Sequence, residues 1–205
     1  MEKYDIKKSH KELYAPRGKG FVLVDVPELQ YIAVDGHGDP NTSSDYADAV
    51  EALFSAAYAV KFASRNDLGR DFVVGPLEGL WRADDMSTFR SREKDEWDWT
   101  MLISQPDWII GDMVASAVEK VSVKKDVRAL GLLRLVTLAE GLSVQALHIG
   151  SYDDETPLLD DLHDRYLPAH DLTFNGDHHE IYLSDARRTE PAKLRTVIRQ
   201  PVAPR

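Results

Sequence analysis

Residues 176–188 read GDHHEIYLSDARR, and their alternation predicts a β-strand with two different faces. Ile181 and Leu183 are apolar, whereas Glu180 and Tyr182 occupy the positions between them. Successive side chains of a strand point to opposite sides, so the apolar pair is expected to pack under helices. Glu180 and Tyr182 then share the other face, which is either exposed to water or part of a ligand cleft.

Composition narrows the classes of protein that this chain can represent. Its 205 residues, 43% hydrophobic and 29% charged, are typical of a soluble globular protein. The net charge of −10 argues against nucleic acid and anionic membranes as partners, and favours neutral or cationic small ligands. The first 14 residues, MEKYDIKKSHKELY, lack the apolar core of a signal peptide, and cysteine is absent. These features together predict a cytoplasmic protein whose oligomeric state the sequence leaves open.

The pattern of elements repeats once along the chain. In the first half, about 21–106, two strands in 21–35 precede a helix from Asp45 to about Ser64 and strands in 71–83 and 97–106. In the second half, about 134–201, strands in 132–150 precede a helix in 156–167, the opening strand and a strand in 195–201. A charged loop is predicted at 84–96, and an amphipathic bridging helix at about 107–125. We therefore predict a single α+β domain over 1–205, with two β-α-β-β repeats related by a pseudo-twofold axis and a cleft between the sheet faces.

Several motifs resemble those of one known family. The C-terminal HHEIYLSDARRTEPAKLRTVIRQPV resembles the closing motif of the GyrI-like small-molecule-binding domain family. The segments VDVPELQYIAVDGHGDPN, GPLEGLW, TMLISQPDWI and VQALHIGSYDDE are similar to its stand-alone members. The resemblance extends over nearly the whole chain from about residue 20.

The resemblance carries expectations about fold and function. It implies antiparallel sheets that enclose a ligand cavity, helices outside them, and Glu180 inside the cavity among aromatic residues. A subset resembling this chain comprises the cyclopropanoid cyclopropyl hydrolases, which open the cyclopropane ring of DNA-alkylating natural products in an aromatic cage. Other members are effector-binding domains of transcription factors. A xenobiotic-detoxifying hydrolase and a non-catalytic effector-binding or sequestering protein are thus the two functions to separate.

Three residues are predicted to be catalytic. Glu180 can orient and deprotonate a water molecule, the role of a general base. Tyr182 or Tyr152 can donate a hydrogen bond to a carbonyl oxygen that gains charge.

Four further residues are predicted to contact the ligand. Trp81 and Trp108 stand at the ends of elements, where flat rings can cover a cleft and bind planar or cationic ligands. His148 and Glu78 complete the set, although a packed core histidine is the default interpretation of His148. The register between the strand of Glu78 and Trp81 and the strand of Glu180 stays open, since a shift of one residue reverses every face.

No metal or cofactor is predicted. His178 and His179 are adjacent in a strand, so their rings point to opposite faces and cannot bind one ion. No HExxH motif or comparable carboxylate pattern is present in the sequence.

Overall fold

An antiparallel sheet of nine strands organises the described part of the chain, which is residues 3–16, 20–83 and 93–205 of a computed structural model. The strands are β1 Val22–Val26, β2 Leu29–His37, β3 Leu77–Arg82, β4 Asp98–Gln105, β5 Arg134–Leu138, β6 Gly141–Ile149, β7 Leu172–Phe174, β8 His178–Tyr182 and β9 Arg195–Pro204. Most of the predicted loop 84–96 lies outside the described residues; its last part, Lys94–Glu96, is a 3-10 turn.

The strand order joins the two predicted halves in one sheet. The order is β1-β6-β9-β8-β3-β4-β2-β5, and β7 pairs with β9. Strands β8 and β3 are neighbours at the centre, so the halves meet along a continuous backbone ladder. Each half also extends the other at the sheet's outer ends, because β1 pairs with β6 and β5 pairs with β2. The predicted α+β class with antiparallel pairing is confirmed, while the pseudo-twofold axis stays a prediction.

The helices within the described residues differ in length and in the part of the sheet that they cover. The longest, α3, is capped by Ser43, whose hydroxyl accepts a hydrogen bond from the backbone N–H of Tyr46. The bridging helix, α4, begins at 111 rather than 107, because Ile109 first closes a turn on Pro106, and it packs against α3. Their bounds are α1 Ile6–Ser9, α2 Lys11–Tyr14, α3 Ser44–Asp67, α4 Gly111–Ser122, α5 Thr156–Asp161 and α6 Leu167–Ala169, with a π-helical turn, Leu162–Tyr166, between the last two.

Both faces of the sheet are covered, but by different helices. Ile181 is buried against the short helices α1 and α2, which the sequence patterns did not predict. The face of Tyr182 packs under α3 in the first half of the chain. In the second half, the helical segment 162–167 covers Val144 on β6. The Glu180 face at the centre of the sheet therefore lies between two groups of helices.

Candidate functional site: a carboxylate among aromatic side chains

The pairing of β8 with β3 determines which residues accompany Glu180. Glu180 lies opposite Gly79, and His178 lies opposite Trp81. Because side chains alternate along each strand, Trp81 and Glu180 share one face. This pairing fixes the register that the sequence left open, with Leu77 opposite Tyr182.

A chain of hydrogen bonds fixes the Glu180 carboxylate. The Tyr182 hydroxyl donates to Oε2 of Glu180 at 2.7 Å. The indole N–H of Trp81 donates to the same hydroxyl at 3.1 Å. The Glu180 side chain is 15% exposed, so it is mostly buried. The hydroxyl proton of Tyr182 is thus directed at the Glu180 carboxylate in this structure.

A glycine makes this chain of hydrogen bonds sterically feasible. A Cβ atom at Gly79 would lie 3.0 Å from the indole nitrogen of Trp81 and 3.2 Å from the Tyr182 hydroxyl. Both distances are shorter than ordinary van der Waals contact. The absence of a side chain at Gly79 therefore leaves room for the two polar groups to meet over the strand.

Aromatic rings extend outward from these groups. Tyr46, from the first turn of α3, stacks on Trp81 with ring centroids 6.5 Å apart. Trp97 meets Trp81 edge-on at 5.7 Å. Tyr152 meets the ring of Tyr182 edge-on, with centroids 5.6 Å apart, and is 38% exposed. The carboxylate consequently lies among rings contributed by β3, β8, α3 and the 3-10 turn 152–155.

Burial and the nearby carboxylate keep the phenols protonated. Burial, and then the charge of Glu180, raises the pKa of Tyr182 well above its ordinary value. The same causes, in the same order, raise the pKa of Tyr46 and bring that of Tyr152 to about 12. These hydroxyls are therefore neutral at physiological pH and can act as hydrogen-bond donors.

His148 lies on the same face of the sheet, on β6, which is separated from β8 by β9. It pairs with Thr196, which pairs with Tyr182, so all three side chains share the Glu180 face. The His148 ring donates a hydrogen bond from Nε2 to the backbone carbonyl of Ser151 at 2.9 Å. His148 thereby holds the segment that carries Tyr152.

Two predicted site residues lie elsewhere. Trp108 packs edge-on against Tyr4 at 5.5 Å and Phe72 at 6.4 Å, and its indole N–H donates to Ser64. Glu78 is fully buried on the opposite face of the sheet, because it neighbours Gly79 in the strand. The structure does not bring either residue to Glu180.

Glu78 belongs to a buried polar cluster on that reverse face. The Tyr14 hydroxyl donates to Glu78 at 2.9 Å. His179 lies between two carboxylates: its Nδ1–H donates to Glu140 at 2.9 Å, and its Nε2 is 3.1 Å from Glu78 at an angle outside the hydrogen-bond range. Arg199 pairs with Glu140 at 3.0 Å and donates to the carbonyl of residue 13. Charged groups in this cluster are thus paired with one another and tied to α2.

Sequence patterns missed two residues of the Glu180 site. Tyr46 comes from a helix, and the signal available was its position three residues after the capping Ser43. His178 shares the face of Glu180 and differs from it by two positions, so strand alternation alone could have identified it.

Residues 3–16, 20–83 and 93–205 hold no group of three acidic or histidine side chains placed to bind a metal ion. No helix in these ranges is long and apolar enough to cross a membrane.

The fold and the site define an α+β domain with a carboxylate surrounded by aromatic side chains on the central strands of its sheet. The family model of the GyrI-like small-molecule-binding domain matches residues 21–203, and the chain belongs to this family. No curated protein matches the sequence.

Solved structures from Listeria innocua are similar along their full length. An uncharacterised conserved protein is 37% identical, with a TM-score of 0.90, over 98% of this chain and 100% of its own. A protein described as a hydrolase is 34% identical, with a TM-score of 0.86 and the same coverage. The C-terminal domain of EcmrR is 13% identical, with a TM-score of 0.59 over 91% of this chain and 98% of its own, so it shares the fold alone.

Proposed function

We propose that this protein binds flat, hydrophobic small molecules, neutral or cationic, against the aromatic side chains around Glu180. The observation that carries the proposal is the mostly buried carboxylate with Tyr182, Trp81 and Tyr152 beside it. Aromatic faces bind planar rings by stacking, and a desolvated carboxylate adds attraction for a cation. Membership of a small-molecule-binding family supports the same conclusion.

We further propose that the protein is a hydrolase acting on a cyclopropane ring conjugated to a carbonyl. Support comes from the hydrolase description of the Listeria relative and from the resemblance to the cyclopropanoid cyclopropyl hydrolases. In this reaction, the oxygen of water bonds to a ring carbon while a carbon–carbon bond of the cyclopropane breaks. The released electron pair passes through the conjugated system to the carbonyl oxygen. The water proton goes to the Glu180 carboxylate, as expected of a general base.

Tyr152 is suited to stabilise the oxygen that gains charge. Its hydroxyl makes no hydrogen bond within the described residues, whereas that of Tyr182 already donates to Glu180. Its raised pKa keeps the phenolic proton in place until a stronger base forms beside it. Donation to a developing oxyanion in a site of low water content accelerates reactions of this type.

Binding is tested with two ligands of matched shape. N-methylquinolinium and 1-methylnaphthalene differ chiefly in charge, and tryptophan fluorescence reports their affinities. Glu180→Gln is expected to weaken the cation about tenfold while leaving the neutral ligand unchanged, because it removes one nearby charge. Glu28→Gln, an exposed position in the turn after β1, is the matched control. Equal affinities for the cation in Glu180→Gln and the unsubstituted protein would contradict the binding proposal.

Turnover is tested separately with a cyclopropane-bearing alkylator. Mass spectrometry follows the product, which is heavier by one water molecule, and more than one equivalent per protein establishes catalysis. Glu180→Gln is expected to reduce the rate on the order of 10²-fold or more, the effect of losing a general base. If the unsubstituted protein binds the compound without forming product, the second candidate, a sequestering or effector-binding protein, is the correct one.

A further inference from the structure

His178 is a buried histidine whose ring lies beside the functional carboxylate. Only 9% of the residue is exposed. Neither ring nitrogen has a hydrogen-bond partner in the described ranges, yet Nε2 is 3.5 Å from Oε1 of Glu180. Because His178 and Glu180 are two positions apart on β8, both side chains project from the same face.

The two oxygens of Glu180 face different neighbours. Oε2 accepts the hydrogen bond of Tyr182, whereas Oε1 lies towards His178. A buried imidazole without hydrogen bonds is unfavourable, and core histidines that only fill space normally have a partner. On the reverse face, His179 is such a partnered histidine. The two adjacent histidines thus differ, because among the described residues His179 has a hydrogen-bond partner and His178 has only the nearby Glu180 carboxylate.

We propose that His178 is the positioning and proton-accepting partner of Glu180, so that the two side chains form a proton-exchanging pair. This inference rests on the proposed function of the Glu180 site. His178 acts through Glu180 and does not itself contact the ligand.

Each proton of the reaction has a destination in this scheme. When water bonds to the ring carbon, its proton passes to Oε1 of Glu180 and then to Nε2 of His178. The carboxylate is thereby restored while the negative oxygen of the product takes a proton from Tyr152. The Tyr152 hydroxyl recovers a proton from solvent, since the residue is 38% exposed, and His178 releases one. The net reaction is the addition of one water molecule to the substrate.

The pair also affects binding, independently of turnover. Histidine changes charge between about pH 5 and 8, and a protonated ring beside Glu180 offsets the attraction of the carboxylate for a cationic ligand. The other titratable or charged groups around the site are Tyr182 on the same strand, Asp185 just beyond that strand, His148 on β6, Tyr46 on α3, Tyr152 and Glu155 of the 3-10 turn, and the Arg82–Asp177 ion pair at the strand ends. The tyrosines have raised pKa values, so they stay neutral over this range of pH.

The first test measures binding as a function of pH. The ratio of affinities for N-methylquinolinium and 1-methylnaphthalene is determined from about pH 8 to pH 5.5. We expect the ratio to fall at least about fivefold in the unsubstituted protein and to change by less than twofold in His178→Gln. Glutamine keeps a hydrogen-bonding group near Nε2 but cannot gain a proton. His170→Asn, at an exposed histidine, should behave as the unsubstituted protein. Equal pH dependence in His178→Gln and the unsubstituted protein would overturn the proposal.

The second test separates proton transfer from positioning. With a cyclopropane-bearing substrate, His178→Gln is expected to lower kcat at least about tenfold with little change in KM, and to remove one limb of the pH–rate profile. An unchanged kcat and profile would refute the role of His178. His178→Asn, which is smaller, gives a second variant if the glutamine is poorly accommodated. If the unsubstituted protein shows no turnover, hydrolysis fails as a function, and the binding test still decides the role of His178.

Discussion

The stability of this protein should fall in alkaline solution because of His179. Burial opposes the positive charge of this ring, but the charge and hydrogen bond of Glu140, together with Glu78, outweigh burial and raise the pKa to about 9. An unfolded chain exposes the same histidine to water, where the ordinary value is 6.5. The folded protein therefore binds the proton more tightly than the unfolded chain does.

The size and the sign of the effect follow from that difference. A rise from 6.5 to about 9 corresponds to about 3 kcal/mol, at about 1.4 kcal/mol per pKa unit. Because the folded-state pKa is the higher one, this contribution is fully present below pH 6.5 and is lost as the pH rises through about 9. Burial and the charge of Glu78 strongly raise the pKa values of Tyr14 and of Tyr31, a buried residue of β2, so measurements should stop at about pH 9.5, before unfolded tyrosine ionises.

Urea unfolding, followed by circular dichroism, measures the effect. Between pH 6.5 and about 9.5, the free energy of unfolding should fall by about 3 kcal/mol in the unsubstituted protein. His179→Gln should be less stable at pH 6.5, and its free energy of unfolding should change much less with pH. His170→Asn should keep the pH dependence of the unsubstituted protein. A constant free energy across this range, or an equal slope in His179→Gln, would refute the assigned charge state.

Three further substitutions test other contacts. Arg199→Met removes the buried cation beside Glu140 and should lower the free energy of unfolding by about 3–5 kcal/mol; a loss below about 1 kcal/mol in urea unfolding would contradict a charged pair. Gly79→Ala places a Cβ 3.0 Å from the Trp81 indole nitrogen, so affinity for 1-methylnaphthalene should fall several-fold with the fold retained; unchanged binding would be inconsistent with the packing described. Tyr152→Phe should lower kcat about 10–10²-fold with nearly unchanged thermal stability, and an equal kcat would exclude Tyr152 as the hydrogen-bond donor.

Sequence patterns were sufficient to predict features that lie within one strand. The alternation around Ile181 placed Glu180 and Tyr182 on one face, and the structure has them hydrogen-bonded there. The same patterns could not predict how the strands pair, because the register of β3 against β8 depends on contacts between residues about a hundred positions apart. Trp81 therefore shares the face of Glu180, while Glu78 on the same strand lies on the opposite face.

The helices at the N-terminus also escaped prediction. Each has four residues, fewer than the two turns over which a 3.6-residue periodicity can be recognised. Leu13 and Tyr14 are nonetheless almost completely buried, and the carbonyl of Leu13 accepts a hydrogen bond from Arg199. These contacts come from tertiary packing, which determines helix formation in segments too short to form one alone.

The pairing of β3 with β8 has a consequence for how ligands of different size are accommodated. The two halves of the sheet cannot separate beneath the ligand, because separation would break the backbone hydrogen bonds between β3 and β8 near Gly79 and Glu180. Adjustment to a larger molecule must instead come from above, where Tyr46 begins a helix and Tyr152 belongs to a short turn. We therefore expect Glu180 to keep its position with compounds of different size, while Tyr46 and Tyr152 move to accommodate them.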